Sequence, residues 1–169
     1  ALRRDFGIER PLWVFVGGSV TASLGKQDRS DIMAILHFLR DYVDPTRRAV
    51  NVEAIRGIIE GRLIDRAGTD VFRGRLDHLH VNKLDPDALY ELSLSHVFNA
   101  PGGGALHVYD LKDAAGELAL RVGAGNEPFG VVNVGDDKEL LELCRKNGFV
   151  VGESVTGTSV FRRLNERKS

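Results

Sequence analysis

Cysteine is nearly absent. Cys144 stands alone in 169 residues, so neither an internal disulfide nor a cysteine-based zinc site can form. A single thiol suits a reducing cytoplasm, the location expected for this chain. Long apolar runs are missing as well. None approaches the roughly 20 residues needed to cross a bilayer, and the opening ALRRDFGIERP carries no secretory signal, so no membrane partner is expected. Charge of one sign is also lacking. At a net charge of −1 the chain has no global field for a polyanion, and any nucleic-acid contact has to be local. Position 1 is not Met and the terminal LNERKS has no obvious stop signal, so a piece of a longer protein is expected.

What is present suits a domain of ordinary size. The composition, 43% apolar and 28% charged, allows both a core and a soluble surface. The stretch LWVFVGGSVTASLGKQ, residues 12–27, resembles a strand feeding a phosphate-binding loop. A phosphate-cradling P-loop needs G-x-x-x-x-G-K-[ST], in which backbone N–H groups wrap the phosphates and the hydroxyl holds Mg²⁺. Gly25-Lys26 supplies the G-K step, but Gln27 replaces the hydroxyl and Val20 the opening glycine. The loop is therefore not of that kind, and no ATP or Mg site is expected within this chain.

The apolar run Leu12–Val16 reads as a buried, central strand ended by Gly17-Gly18. Residues 28–43 read as a helix capped by Ser30, with Ile32, Ile35, Leu36, Leu39 and Val43 on one face, stopped by Asp44-Pro45. Asn51 reads as the cap of a second helix with Ile55, Ile58, Ile59 and Leu63 inward, although Gly57 and Gly61 weaken it. Residues 66–83 are polar and irregular. Asp85-Pro86 opens another helix with Leu89, Leu92 and Val97 on its buried side. After Pro101-Gly102-Gly103-Gly104 the period becomes two: Leu106, Val108, Leu111, then Leu118, Leu120, Val122. That predicts a β-hairpin turning at residues 112–116. Phe129–Val134 reads as a second buried strand, parallel to and beside the first. Asp136 or Asp137 caps a helix through Asn147 with Leu140, Leu141 and Cys144 inward. Gly148 stops it, and a short strand follows at residues 149–151. The expected architecture is α/β: a partial parallel sheet over 1–27 and 128–169, interrupted over 28–127 by a helical block and an antiparallel hairpin.

Several residues could carry chemistry. Gly17, Gly18, Ser19 and Thr21 follow a predicted strand, and ligands of open α/β sheets gather at strand ends. Small residues there let a phosphate approach backbone N–H groups, hydroxyls add donors, and Lys26 adds charge. The alternative is an ordinary turn that wants glycine. Arg162 and Arg163, with Arg167 and Lys168, make a basic segment suited to phosphate contact or to a solvated tail. Arg47-Arg48 and Arg73 with Arg75 are weaker basic spots. His78 and His80 sit at i, i+2 beside Asp77, but no third metal ligand follows at a recognisable spacing. No G-x-S-x-G elbow supports a serine nucleophile. Cys144 reads as core, and Asp136-Asp137 as a helix start rather than a cation site. No catalytic residue and no metal ligand is expected.

Three segments together resemble one family. PLWVFVGGSVT, GVVNVGDDKELLELCRKNGF and SVFRRLN look like successive pieces of the DEAD/DEAH-box helicases that include the Res subunits of type III restriction enzymes. The likeness covers the two ends of the chain well and the middle poorly. It implies a RecA-like sheet, with the first piece opening the second motor domain and the chain ending just before the motif V block. The Walker A loop and the acidic DE-x-H-type motif are absent. The resemblance therefore implies a fragment, inactive alone, of an ATP- and Mg-dependent helicase or translocase. It implies nucleic-acid backbone contacts through Gly17, Gly18, Ser19, Thr21 and Lys26, phosphate contacts at Arg162 and Arg163, and DNA, the rest of the motor chain and a modification subunit as partners. A stand-alone α/β module that holds a protein partner is the competing expectation.

Overall fold

The computed structural model describes residues 13–16, 31–76, 85–111, 116–134 and 137–152. Within them the chain forms β1 (Trp13–Val16), α1 (Asp31–Val43), α2 (Arg48–Ile59), α3 (Pro86–His96), β2 (Leu106–Asp110), β3 (Glu117–Val122), β4 (Gly130–Asn133), α4 (Asp137–Lys146) and β5 (Val150–Gly152). The strands make one sheet in the order β1-β4-β3-β2-β5. β1 runs parallel to β4, Trp13 opposite Gly130 and Val16 opposite Asn133, as the two apolar runs predict. β5 runs parallel to β2, while β3 is antiparallel to both β2 and β4. The architecture is thus α/β with a mixed sheet, in which β3 alone runs against the other strands. The hairpin does not sit apart from the parallel strands: β2 and β3 lie between β4 and β5.

Side chains alternate across a sheet, and the register sorts them. Phe15, Val132, Leu118, Leu120, Val122, Leu106, Val108 and Val151 share the inner face and pack with the helices into one core. α1 contributes Ile32, Met33, Leu36, Leu39 and Val43, and α4 contributes Leu140, Leu141 and Cys144, all buried. These are the helical-period positions, with Met33 added. α4 ends where Phe149 N–H donates to the Cys144 carbonyl (3.0 Å) at Gly148. Among the described residues no charged or polar side chain is buried.

Three expectations fail for identifiable reasons. β1 is not central. Among the described strands it pairs with β4 alone, and Trp13 and Val14 are 37% and 43% exposed. An apolar run shows that a strand has apolar neighbours, not that both its edges are paired. Trp13 instead leans on Phe98 at 5.9 Å, and Phe98 meets Phe129 at 4.8 Å. Asn51 does not cap α2, which begins at Arg48 after a 3₁₀ turn at Pro45–Arg47. Its amide donates instead to the carbonyls of Asp41 (3.0 Å) and Tyr42 (2.9 Å), satisfying the open end of α1. The buried side of α2 is then Val52, with Ile55, Ile58 and Ile59 half-buried and Leu63 exposed. In α3 Leu92 is exposed, and Tyr90 and Leu94 are buried. The Tyr90 hydroxyl reaches the Tyr42 carbonyl (2.8 Å), so an amphipathic ring took the inward position that an aliphatic pattern assigns to leucine.

Candidate functional site

Because β1, β2, β4 and β5 point one way, their carboxyl ends gather at one edge of the sheet: Val16, Asp110, Asn133 and Gly152. β3 starts there at Glu117, opposite Asn133. α4 also begins at this edge. Asp137 is its first residue, and its Oδ2 accepts from the Gly116 N–H (3.0 Å). Gly116 in turn accepts from Val134 N–H (2.9 Å). The Asp137 carboxylate therefore ties the hairpin turn to the helix start. Open α/β sheets bind ligands at this kind of edge, where strand ends leave a crevice and helix N-termini supply N–H donors.

β1 delivers the chain to this edge at Val16. The residues singled out beyond it, Gly17, Gly18, Ser19, Thr21 and Lys26, lie outside the described residues, as do Arg162, Arg163, His78 and His80. β1 lies beside β4, the strand that opens the second resembling segment. Among the described residues no group of three His, Cys, Asp or Glu side chains stands close enough to hold a metal ion. No helix among them is long and apolar enough to cross a membrane.

A pocket at the opposite, amino edge is lined by Arg40, Asp44, Pro45, Gly104, Leu106 and Phe149. Its one cation is used by the fold. Arg40 donates to the Asn147 carbonyl (3.1 Å), meets His37 Nδ1 at 2.9 Å and lies over the Phe149 ring at 4.7 Å. The Asp44 carboxyl is held below its usual range by hydrogen bonds from the Thr46 hydroxyl and N–H. These contacts join the ends of α1 and α4.

No match was found. Comparison of the chain with family models, with curated proteins and with solved structures returned none.

The sheet's second face carries a polar group that the sequence pattern did not single out. His107 lies opposite Arg121 across β2 and β3. The His107 Nδ1 is 3.1 Å from the Tyr109 hydroxyl, and the two rings stack at 5.8 Å. The Arg121 guanidinium lies 4.8 Å over the Tyr109 ring and donates to the Ala124 carbonyl (2.9 Å), while its Nε has no partner. Burial, and then the Arg121 charge, push the His107 pKa down. The signal available in sequence was only alternation: His107 and Tyr109 are i, i+2 on a predicted strand. Their meeting with Arg121 depends on register. Cys144, by contrast, sits where its pattern put it, and burial raises its thiol to about 11. It is protonated at neutral pH and unsuited to nucleophilic work.

Proposed function

We propose that this chain is part of an ATP-driven nucleic-acid motor of the DEAD/DEAH-box class, related to type III restriction Res subunits. It supplies the opening strand and loop of the second RecA-like domain. ATP and Mg belong to the rest of the motor, which works in the cytoplasm on DNA beside a modification subunit. One observation carries the reading. The two strands that open the first two resembling segments, β1 and β4, are parallel neighbours whose carboxyl ends share one edge. That pairing lets the loop after β1 and the start of α4 face a common ligand. In this reading Gly17 and Gly18 admit a phosphate to the backbone, Ser19 and Thr21 donate to it, Lys26 adds charge, and Arg162 and Arg163 add further phosphate contacts.

The test is Ser19→Ala with Thr21→Ala in the complete motor. Each hydrogen bond to a charged acceptor contributes about 1.5–3 kcal/mol, and water recovers part of that. Weaker DNA binding, uniform across sequences, and loss of DNA-stimulated phosphate release are expected. Unchanged affinity and unchanged stimulation would show that the loop only turns the chain. The 169-residue chain by itself should release no phosphate from ATP; turnover abolished by Lys26→Ala would overturn that part.

A further inference from the structure

Between α2 and α3 the chain projects a tongue, residues 61–76. It is hydrogen-bonded throughout. Ile64 and Asp70 form an antiparallel bridge, and Val71 N–H donates to the Leu63 carbonyl (2.9 Å). Asp65 Oδ1 accepts from the N–H groups of Ala67 (2.8 Å) and Thr69 (2.9 Å), and Asp70 Oδ1 from Phe72 N–H (3.0 Å). Both acids of the tongue are thereby turned onto its own backbone. Arg62 fixes the root, donating to Glu53 (2.7 Å) within α2 and to Glu60 (2.8 Å) just past its end.

The outer surface is different in kind. Arg66, Arg73 and Arg75 are exposed and form no ion pair with any described residue. Beside them Leu63, Ile64 and Val71 are 44%, 60% and 47% exposed. A shaped hairpin that shows water its aliphatic side chains and unpaired guanidiniums has the features of a contact surface. Its charge fits a polyanion, and on a chain of net charge −1 it is a local positive feature.

We propose that the tongue is a docking surface for a nucleic-acid strand, with Arg66, Arg73 and Arg75 on phosphates and the aliphatic ridge against sugars and bases. The choice of nucleic acid among polyanions rests on the motor reading. An acidic protein would satisfy the charges equally, but it gives the exposed Leu63, Ile64 and Val71 no counterpart, whereas aliphatic wedges against bases are a known use of Leu and Ile.

The experiment measures binding of a labelled single-stranded oligonucleotide to the 169-residue protein by fluorescence anisotropy over a range of salt concentrations. Each phosphate contact on a single strand contributes about 0.7 to the slope of log affinity against log salt. The variant carrying Arg66→Gln, Arg73→Gln and Arg75→Gln should therefore bind more weakly, with a slope smaller by about 2. Ile64→Ser with Val71→Ser should weaken binding at every salt concentration and leave the slope alone. Circular dichroism checks that both variants remain folded. No binding by the wild-type protein at low salt, or an unchanged slope in the arginine variant, overturns the proposal. So does a glutamate-rich peptide that competes as well as unlabelled oligonucleotide while the Ile64 and Val71 changes have no effect; the tongue would then be a dock for acidic protein. None of these failures touches the motor reading, which is decided by Ser19, Thr21 and DNA-stimulated phosphate release.

Discussion

The inner face of the sheet and the tongue solve the same backbone problem with opposite surfaces. On the inner face Leu118, Leu120, Val108 and Val122 are fully buried and the ladder satisfies the backbone. On the tongue the backbone is satisfied by two aspartates and a short bridge, while residues 62–69 are all exposed. Hydrogen bonding holds both shapes, but apolar burial stabilises only the first. Side chains on the inner face therefore hold the fold together, and the exposed Arg66, Arg73, Arg75, Ile64 and Val71 of the tongue are open to a partner.

The largest effect should come from the core. Leu120 is fully buried, and Leu120→Ala removes its transfer free energy and leaves a cavity, costing about 2–5 kcal/mol. Ile64→Ala removes a similar side chain that is 60% exposed and should shift stability by no more than about 0.5 kcal/mol. Urea titration of both variants measures the contrast. Similar midpoints for the two would mean that the tongue is part of the folding core, which would remove the ground for reading it as a free surface.

Glycines sharpen the same contrast. Gly103 and Gly68 both hold left-handed backbone, at φ +75° and +77°. A Cβ on Gly103 would lie 2.4 Å from the Val43 carbonyl oxygen, whereas one on Gly68 would meet nothing within 4 Å. That same carbonyl accepts from Gly104 N–H (2.8 Å) and joins α1 to the loop before β2. Both substitutions carry the conformational penalty of about 1–2 kcal/mol. Gly103→Ala also forces the hydrogen bond apart, adding about 0.5–1.5 kcal/mol. Thermal unfolding should rank Gly103→Ala well below Gly68→Ala; equal melting temperatures would mean that the Val43 clasp contributes nothing.

Much of the core was legible because periodicity reports burial directly. Leu36, Leu39 and Val43, the alternating residues of β2 and β3, and Leu140, Leu141 and Cys144 all follow from spacing alone. The parallel pairing of β1 with β4 followed from two short apolar runs. Spacing was silent where a polar atom decides. Asn51 stands at a position that reads as a cap, yet it serves the helix before its own, because α1 and α2 meet through a turn whose geometry the sequence does not state. Tyr90 displaced Leu92 from the core because its hydroxyl had a carbonyl to reach. The His107, Tyr109 and Arg121 group was illegible for another reason: it joins residues from two strands, and only their register brings them together.

The smallest effect concerns that group on the second face. His107 faces Arg121 across the strands and the Tyr109 hydroxyl along its own, and its pKa is depressed, by burial first and by Arg121 second. A depressed histidine binds its proton more readily in the unfolded chain. Its contribution to stability is therefore fully present above the unfolded pKa of about 6.5 and is lost as pH falls through the lower folded value. The stability advantage of the wild-type protein over His107→Gln should accordingly be larger at neutral pH than in mild acid. Taking the difference between the two proteins cancels the other four histidines of the sequence. Arg121→Gln should reduce the pH dependence without abolishing it, since burial is the larger cause. Urea titrations of the wild type and both variants on either side of the histidine range measure this. A wild-type advantage that stays constant across that range would mean that His107 titrates alike in the folded and unfolded chains, and that the second face, unlike the inner one, leaves its side chains effectively in water.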